Sequence, residues 1–279
     1  MKCLYCGKSI NGTASEDELA SEWHQRCVKE FFGTSNMPRI EISDAQIEDI
    51  ARLYVEKGYT VTGVQKKLSL HLTDEKETRL TIVDYPTGYI LKPQTEEFEG
   101  LPEAEALCMR LAKVTGIAVV DFGLIKMNSE TRKLAYITKR IDRKSTNEKD
   151  KRIVQEFAME DFCQLTNRLT QDKYRGSYER CIEVVRKYSN RLGLDMSEIF
   201  MRIVFFYVTG NSDMHLKNFS MIENEPGSRE FALSKAYDLL PVNVVMPEDN
   251  EELALTLNGK KRNITKRDFL RLAKKCELP

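Results

Sequence analysis

Asp213 and Asn218 stand five residues apart in Asn211-Ser212-Asp213-Met214-His215-Leu216-Lys217-Asn218, and Asp238 follows twenty residues later in Ala236-Tyr237-Asp238-Leu239-Leu240. Phosphoryl transfer asks for such a set: one carboxylate to accept the nucleophile's proton, and a second carboxylate with an amide oxygen to hold magnesium against the phosphates. The D-x4-N spacing is that of a kinase catalytic loop, and it lies between the apolar stretch 200–208 and the apolar pair Phe219 and Met221. His215 either orients Asp213 or touches phosphate, with a structural role as the alternative. Lys92, in the β-type run Tyr89-Ile90-Leu91-Lys92-Pro93, is placed to reach the α and β phosphates. Its ammonium is expected to pair with Glu105 early on the following helix, Glu103 competing because the helix's rotation is open. Gly63 permits close backbone approach to phosphate, and Lys66 and Lys67 beside Gln65 add positive charge. This segment is neither a Walker A loop nor G-x-G-x-x-G, and a hairpin with solvated lysines fits it equally well.

A second group of reactive residues stands at the start. Cys3 and Cys6, then His24 and Cys27 after a gap of seventeen residues, form a C-x2-C, H-x2-C array that suits one tetrahedral ion. Three thiolates and an imidazole favour zinc, and four protein ligands leave no open position for catalysis, so the ion would be structural. The segment resembles a zinc ribbon or one half of a LIM-type finger, Trp23-His24 included. Glu16, Asp17, Glu18 and Glu22 make it acidic between its ligands, which disfavours nucleic-acid contacts.

These groups need elements to hold them. Ser43 and Gln46 have capping-box spacing, and Ile47, Ile50, Ala51, Tyr54 and Val55 then fall on one helical stripe that Gly58 ends. Short β-rich runs at 61–72, 80–84 and 88–91 predict a small antiparallel sheet, with a helix entered at Pro102 and left at Gly116 and further strands at 119–125 and 134–141. After the charged stretch 140–152, helical periodicity dominates through about residue 208, and a last helix begins after Thr265, with Asp268 at capping-box spacing. The expected fold is α+β, a two-lobed protein-kinase-like architecture with a β-rich N-lobe, a mostly helical C-lobe and a small N-terminal zinc-binding segment. The expected divisions are a zinc-ribbon-like segment at 1–33, a linker at 34–42, a nucleotide-binding lobe at 43–145 and a catalytic lobe at 146–279.

Composition narrows the function classes. Over 279 residues, 43 basic and 43 acidic side chains cancel, so no global field draws the chain to nucleic acid or anionic lipid. The longest apolar run is too short to span a bilayer, and the start lacks the apolar core of a signal peptide, so a cytoplasmic protein without membrane partner is expected. Seven cysteines, three of them among the first 27 residues, fit reduced thiols and a metal site rather than a disulfide framework.

Several separated motifs across residues 42–279 resemble the HipA-type serine/threonine kinases, toxins of type II toxin-antitoxin systems. Thr62-Gly63-Val64-Gln65-Lys66-Lys67-Leu68 resembles the family's S-G-x-Q-x-K phosphate loop, Leu91-Lys92-Pro93 its strand lysine, and Lys139-Arg140-Ile141-Asp142-Arg143 its R-[FI]-D-R hinge. Gly210 to Ser220 resembles G-N-x-D-x-H-x-K-N-[FW]-[SA], and Tyr237-Asp238-Leu239 resembles Y-D-[LF]. The resemblance implies Asp213 as catalytic base with His215 and Lys217 in the same motif, Asn218 and Asp238 as magnesium ligands, Lys92 on ATP, and backbone around Lys139 and Ile141 against adenine. It implies a protein substrate, characteristically an aminoacyl-tRNA synthetase, and autophosphorylation, here at Thr60 or Thr62, where short split HipT-like members carry paired serines. The antitoxin partner would be HipB-like or a separate small protein supplying the β-rich amino-terminal subdomain that full-length members carry. Two rival readings remain: a small-molecule phosphotransferase of the aminoglycoside or choline kinase type, and a catalytically weak ATP-binding interaction module.

Overall fold

The computed structural model describes residues 1–40, 67–73, 79–81, 88–127, 133–148 and 151–278. The helix expected over 43–58 and the phosphate-loop residues Thr60, Thr62, Gly63, Gln65 and Lys66 lie outside the described residues. The chain divides into two compact units, Met1–Ala106 with Asp121–Arg140, and Leu107–Val120 with Ile141–Pro279.

The first unit opens with two short helices. Ser15 caps α1 (Glu16–Ser21) in a reciprocal box with Glu18, and α2 (Gln25–Phe32) runs from His24 to Gly33, whose φ of 75° lets the chain leave the helix. On α2, Cys27, Val28, Phe31 and Phe32 form one buried stripe. A six-stranded sheet follows, built from β1 (Arg39–Ile40), β2 (Leu68–Leu72), β3 (Arg79–Thr81), β4 (Tyr89–Pro93), β5 (Phe122–Lys126) and β6 (Leu134–Lys139) in the order β1-β3-β2-β4-β6-β5. Every neighbouring pair is antiparallel except β1 with β3. Helix α3 (Leu101–Val114) connects β4 to β5. All but the first of these strands match apolar or β-branched runs read from the sequence, with ends displaced by a few residues.

The sheet has two used faces. Leu68, Leu70, Leu72, Tyr89, Leu91, Ile125, Ala135 and Ile137 join Trp23, Val28, Phe31 and Phe32 in one buried apolar cluster. Strand alternation sends Lys92, Tyr136 and Phe122 to the opposite face, where the Phe122 and Tyr136 rings stack at 5.8 Å. A fully buried large apolar side chain contributes about 1.5–3 kcal/mol. Helices of six and eight residues are too short to be stable alone, so α1 and α2 persist through this packing. The segment also covers the outer edge of β5: Leu124 N–H donates to Leu4 O at 3.2 Å, and Leu124 O accepts from the Trp23 indole at 2.9 Å.

After Leu107–Val120, the second unit continues with a hairpin, β7 (Arg143–Glu148) and β8 (Lys151–Glu156), then β9 (Met159–Asp161) and α4 (Phe162–Leu165). This departs from the helical reading of 153–208. Arg143 faces Glu156 across the ladder, their side chains 3.3 Å apart, and this cross-strand pairing holds the segment as a two-stranded ribbon. Helices α5 (Tyr178–Tyr188) and α6 (Leu192–Thr209) follow, then β10 (Ser220–Glu223) and β11 (Phe231–Leu233), which join β9 in the order β11-β10-β9. A short α7 (Val242–Val245) precedes α8 (Lys266–Lys275), whose start carries the expected bond between Thr265 N–H and Asp268 Oδ2 at 2.9 Å. Among the described residues, no helix is long and apolar enough to cross a membrane.

Gly123 in β5 has its Cβ position 2.7 Å from the Trp23 ring. A methyl there overpacks a site whose ring is fully buried and hydrogen-bonded. Gly123→Ala is therefore expected to lower stability by about 1–3 kcal/mol in a denaturant titration, whereas Gly88→Ala, with open space around its Cβ position, leaves the midpoint nearly unchanged.

Candidate active site and metal cluster

Lys92 and Glu105 meet in the first unit. β4 delivers Lys92 three residues after Tyr89, and the first turns of α3 deliver Glu105, so Nζ lies 2.5 Å from Glu105 Oε1 with both side chains almost fully buried. Glu103, the competing candidate, is exposed. The Lys92 ammonium also lies 5.2 Å from the Tyr136 ring centre, across the β4–β6 ladder. A buried ammonium needs such partners, because desolvation without them would neutralise it. Lys139 ends β6, where its N–H donates to Asp121 O at 3.0 Å and its Nζ to Glu30 O at 3.2 Å, 5.2 Å from the Phe31 ring centre. Lys67 is exposed at the start of β2, and Ile141, half-buried, follows β6 in a turn.

In the second unit, Gly210 ends α6 with φ 64°, turning the chain straight into the loop 211–218. His215 N–H donates to Asp213 O at 2.8 Å and Asn218 N–H to His215 O at 2.9 Å, so the loop closes on its own backbone. Asn218 Nδ2 donates to Asp213 O at 3.0 Å, which leaves its Oδ1 as the atom suited to a metal. The fully buried Asn211 amide, oriented so that both its atoms are satisfied, donates to Leu240 O at 3.1 Å and accepts from Leu240 N–H at 3.3 Å. Ser220 and Tyr237 hydroxyls pair at 2.6 Å, and the Tyr237 phenol donates to Lys217 O at 3.2 Å. The Asp213 loop and the Asp238 segment are thus tied at two points.

Asp238 itself has φ 62°, the left-handed region that a non-glycine residue rarely occupies. Such a conformation costs about 1–3 kcal/mol and persists where surrounding contacts impose it. Such contacts are visible two residues earlier: Ala236 N–H donates to Ala118 O at 2.7 Å, and Val120 N–H to Ala236 O at 3.0 Å. Arg202 on α6, nearly fully buried, donates to Ser234 O at 2.7 Å and to Glu198, which also accepts from Ala118 N–H at 3.1 Å. Lys217 pairs with Asp161 at 3.0 Å, and the buried His215 meets the Tyr174 ring edge-on at 5.0 Å.

Tyr174 and Asp249 were not legible in the sequence. The Tyr174 phenol donates to Asp213 Oδ1, and Ser212 donates to Asp249. Burial first, then the charge of Asp213 and its hydrogen bond, and then Asp238 and Asp249, raise the Tyr174 phenol well above its ordinary value, so it remains a donor. The Tyr174 phenol is thus the donor that holds Asp213 Oδ1, and carboxylate oxygen is the hard kind of donor that suits magnesium. No local motif marks either residue, because each reaches the loop only through the fold.

The amino-terminal ligands also converge. One ligating atom from each of Cys3, Cys6, His24 and Cys27 lies within 4.8 Å of all the others. Bonds of about 2.3 Å to sulfur and 2.0–2.1 Å to nitrogen put the S···N edge of a zinc tetrahedron at about 3.6 Å. His24 Nδ1 lies 3.4 Å from Cys6 Sγ and 3.8 Å from Cys27 Sγ, on either side of that value. His24 Nε2 lies 3.2 Å from Ser9 O, the partner that would fix Nδ1 as the ligand.

The family model for the HipA-like C-terminal domain matches residues 59–279. Two Sinorhizobium fredii proteins named "Putative kinase Y4dM" and "Putative kinase Y4mE" are 33% and 30% identical to the chain, over 79% and 75% of it and 54% and 48% of their own lengths. The chain thus spans about half the length of these relatives. Among solved structures, the Shewanella oneidensis toxin HipA, crystallised with HipB and operator DNA, is similar with a TM-score of 0.64 and 22% identity over 84% of this chain and 58% of that one. The similarity fits the mixed α+β, kinase-like fold expected from the motifs. On the family match and the relatives together, the chain belongs to the HipA-like C-terminal domain family.

Proposed function

We propose that the chain is an ATP- and magnesium-dependent serine/threonine protein kinase of the HipA type, acting in the cytoplasm on a protein hydroxyl. The observation that carries this reading is the Asp213 loop, held at Asp213 Oδ1 by the Tyr174 phenol and tied to the Asp238 segment through Asn211 with Leu240 and through Tyr237 with Lys217. A solvated polar turn would need no such bracing. Asp213 takes the proton of the attacking hydroxyl as its oxygen bonds to the γ-phosphorus and ADP leaves. The Tyr174 phenol holds Asp213 Oδ1, which turns the other carboxylate oxygen to the nucleophile. Asn218 Oδ1 and Asp238 would hold magnesium, which when bound neutralises charge on the phosphates. Lys92, steadied by Glu105, contacts the α and β phosphates, and backbone around Lys139 and Ile141 receives adenine. Lys217, anchored on Asp161, fixes the loop's far end beside Asn218.

A structural zinc ion on Cys3, Cys6, His24 and Cys27 completes the cofactor set. The partner class is an antitoxin, HipB-like or a separate small protein, and an aminoacyl-tRNA synthetase is the substrate class to try first. The domain divisions at 1–33, 43–145 and 146–279 are proposed as the functional segments of this kinase.

Asp213→Ala and Asp238→Ala are each expected to abolish transfer of radiolabelled γ-phosphate to protein while leaving the circular dichroism melt intact; normal transfer by either purified variant would falsify the assignment. Lys92→Met leaves Glu105 buried without its cation and should cost about 3–5 kcal/mol of stability. Lys92→Met combined with Glu105→Leu is expected to regain that stability without regaining activity, which separates the packing role of the pair from its chemistry. Phosphate on Thr60 or Thr62 should appear by mass spectrometry in the wild type and not in Asp213→Ala.

A further inference from the structure

The amino-terminal cluster is built into the unit that carries Lys92. His24 precedes the first turn of α2 and Cys27 lies within it, joined by Cys27 N–H to His24 O at 2.8 Å. Cys3 and Cys6 sit on a tight knuckle closed by Cys3 N–H to Lys8 O at 2.8 Å and Gly7 N–H to Cys3 O at 2.9 Å, with Gly7 at φ 72°. One ion would therefore fix the start of α2 relative to the knuckle.

From that start, α2 carries its stripe onto the sheet. Phe31 and Phe32 lie 5.8 and 5.5 Å from the Tyr89 ring, and the Tyr89 phenol donates to Phe31 O at 3.3 Å. Tyr89 begins β4, the strand of Lys92. Glu30 O and the Phe31 ring receive the Lys139 ammonium at the end of β6. Trp23, next to His24, stacks on Tyr5 and bonds to Leu124 in β5. The ligand-bearing segment thus touches β4, β5 and β6, and it does so at the starting residue of the Lys92 strand and at the hinge lysine.

We propose that the ion held by Cys3, Cys6, His24 and Cys27 is a staple for nucleotide binding: by fixing α2 it sets β4 and the end of β6, so that metal occupancy is a condition for binding ATP. The nucleotide part of this inference rests on the kinase reading; the staple does not. Four protein ligands give the ion no chemistry of its own, and its effect on turnover passes through the position of Lys92 and Lys139.

The full-length chain, purified under reducing conditions, should contain one zinc per molecule by elemental analysis, and cobalt(II) substitution should give the intense visible absorption of a tetrahedral thiolate site. The metal is then stripped by a chelator, which is dialysed away before magnesium and a fluorescent ATP analogue are added. Stripping should weaken the analogue's binding at least tenfold and accelerate amide exchange in Gln25–Phe32, Tyr89–Pro93 and Phe122–Lys126, with both effects reversed by zinc. Phe31→Leu should keep one zinc while weakening the analogue several-fold, which shows the coupling where Cys27→Ser simply unfolds. Asp213→Asn should keep zinc and analogue binding and lose only transfer. Absence of stoichiometric zinc and of the cobalt spectrum overturns the site. Unchanged binding and exchange in the stripped protein overturns the coupling. If the zinc-loaded protein binds no analogue, the nucleotide reading falls with the coupling, and zinc content, cobalt spectrum and exchange still decide the staple.

Discussion

A strand offers its side chains alternately to two faces, and β4 is held by that alternation. Tyr89 and Leu91 must enter the apolar cluster with α2, while Lys92 must emerge on the other face to meet Glu105 and Tyr136. A shift of one residue in the ladder would bury the ammonium among Phe31, Phe32 and Leu70 and expose Leu91 to the carboxylate. The packing of aromatic rings on one side and the ion pair on the other therefore enforce the same register. Each is costly to satisfy wrongly, and together they fix where the positive charge of this unit stands.

The second unit meets a different demand, that of holding carboxylates in place. Asp213, Asp238 and Asp249 all act by charge on the Tyr174 phenol, and among the described contacts neutral donors and rigid turns fix this part of the chain. Tyr174 and Ser212 donate to two of the three, and Asn211, Asn218 and Tyr237 spend their hydrogen bonds on the backbone that carries them. The left-handed backbone at Asp238 is the local strain in this arrangement, and the buried Arg202 with Glu198 braces the segment before it.

What was legible in the sequence follows from the range of each interaction. The C-x2-C and H-x2-C pairs, the D-x4-N loop and the capping box at Thr265 and Asp268 are defined within a few residues, and so are the β-rich runs of the sheet. The choice of Glu105 over Glu103 needed the rotation of α3, which only tertiary packing fixes. The start of the helical reading, 153–161, is strand instead, because β8 and β9 are fixed by their pairing partners and not by a period within the segment. Tyr174, Asp249 and the path from Trp23 to Leu124 depend on residues 39, 37 and 101 positions apart, so no window along the chain contains them. The helix α2 and its buried stripe were not read from the sequence, and that the stripe packs on the strand of Lys92 is a property of the fold.

Leu124 has both of its outward backbone groups occupied from within the chain, by Leu4 and by the Trp23 indole. An extended segment of another protein arriving at the outer side of β5 would find neither a donor nor an acceptor at that register. Recruitment of a partner by strand addition is thus closed at the middle of this strand. A protein that recognised this side of the first unit at that register would have to read the side chains of residues 3–27 instead of the strand's backbone.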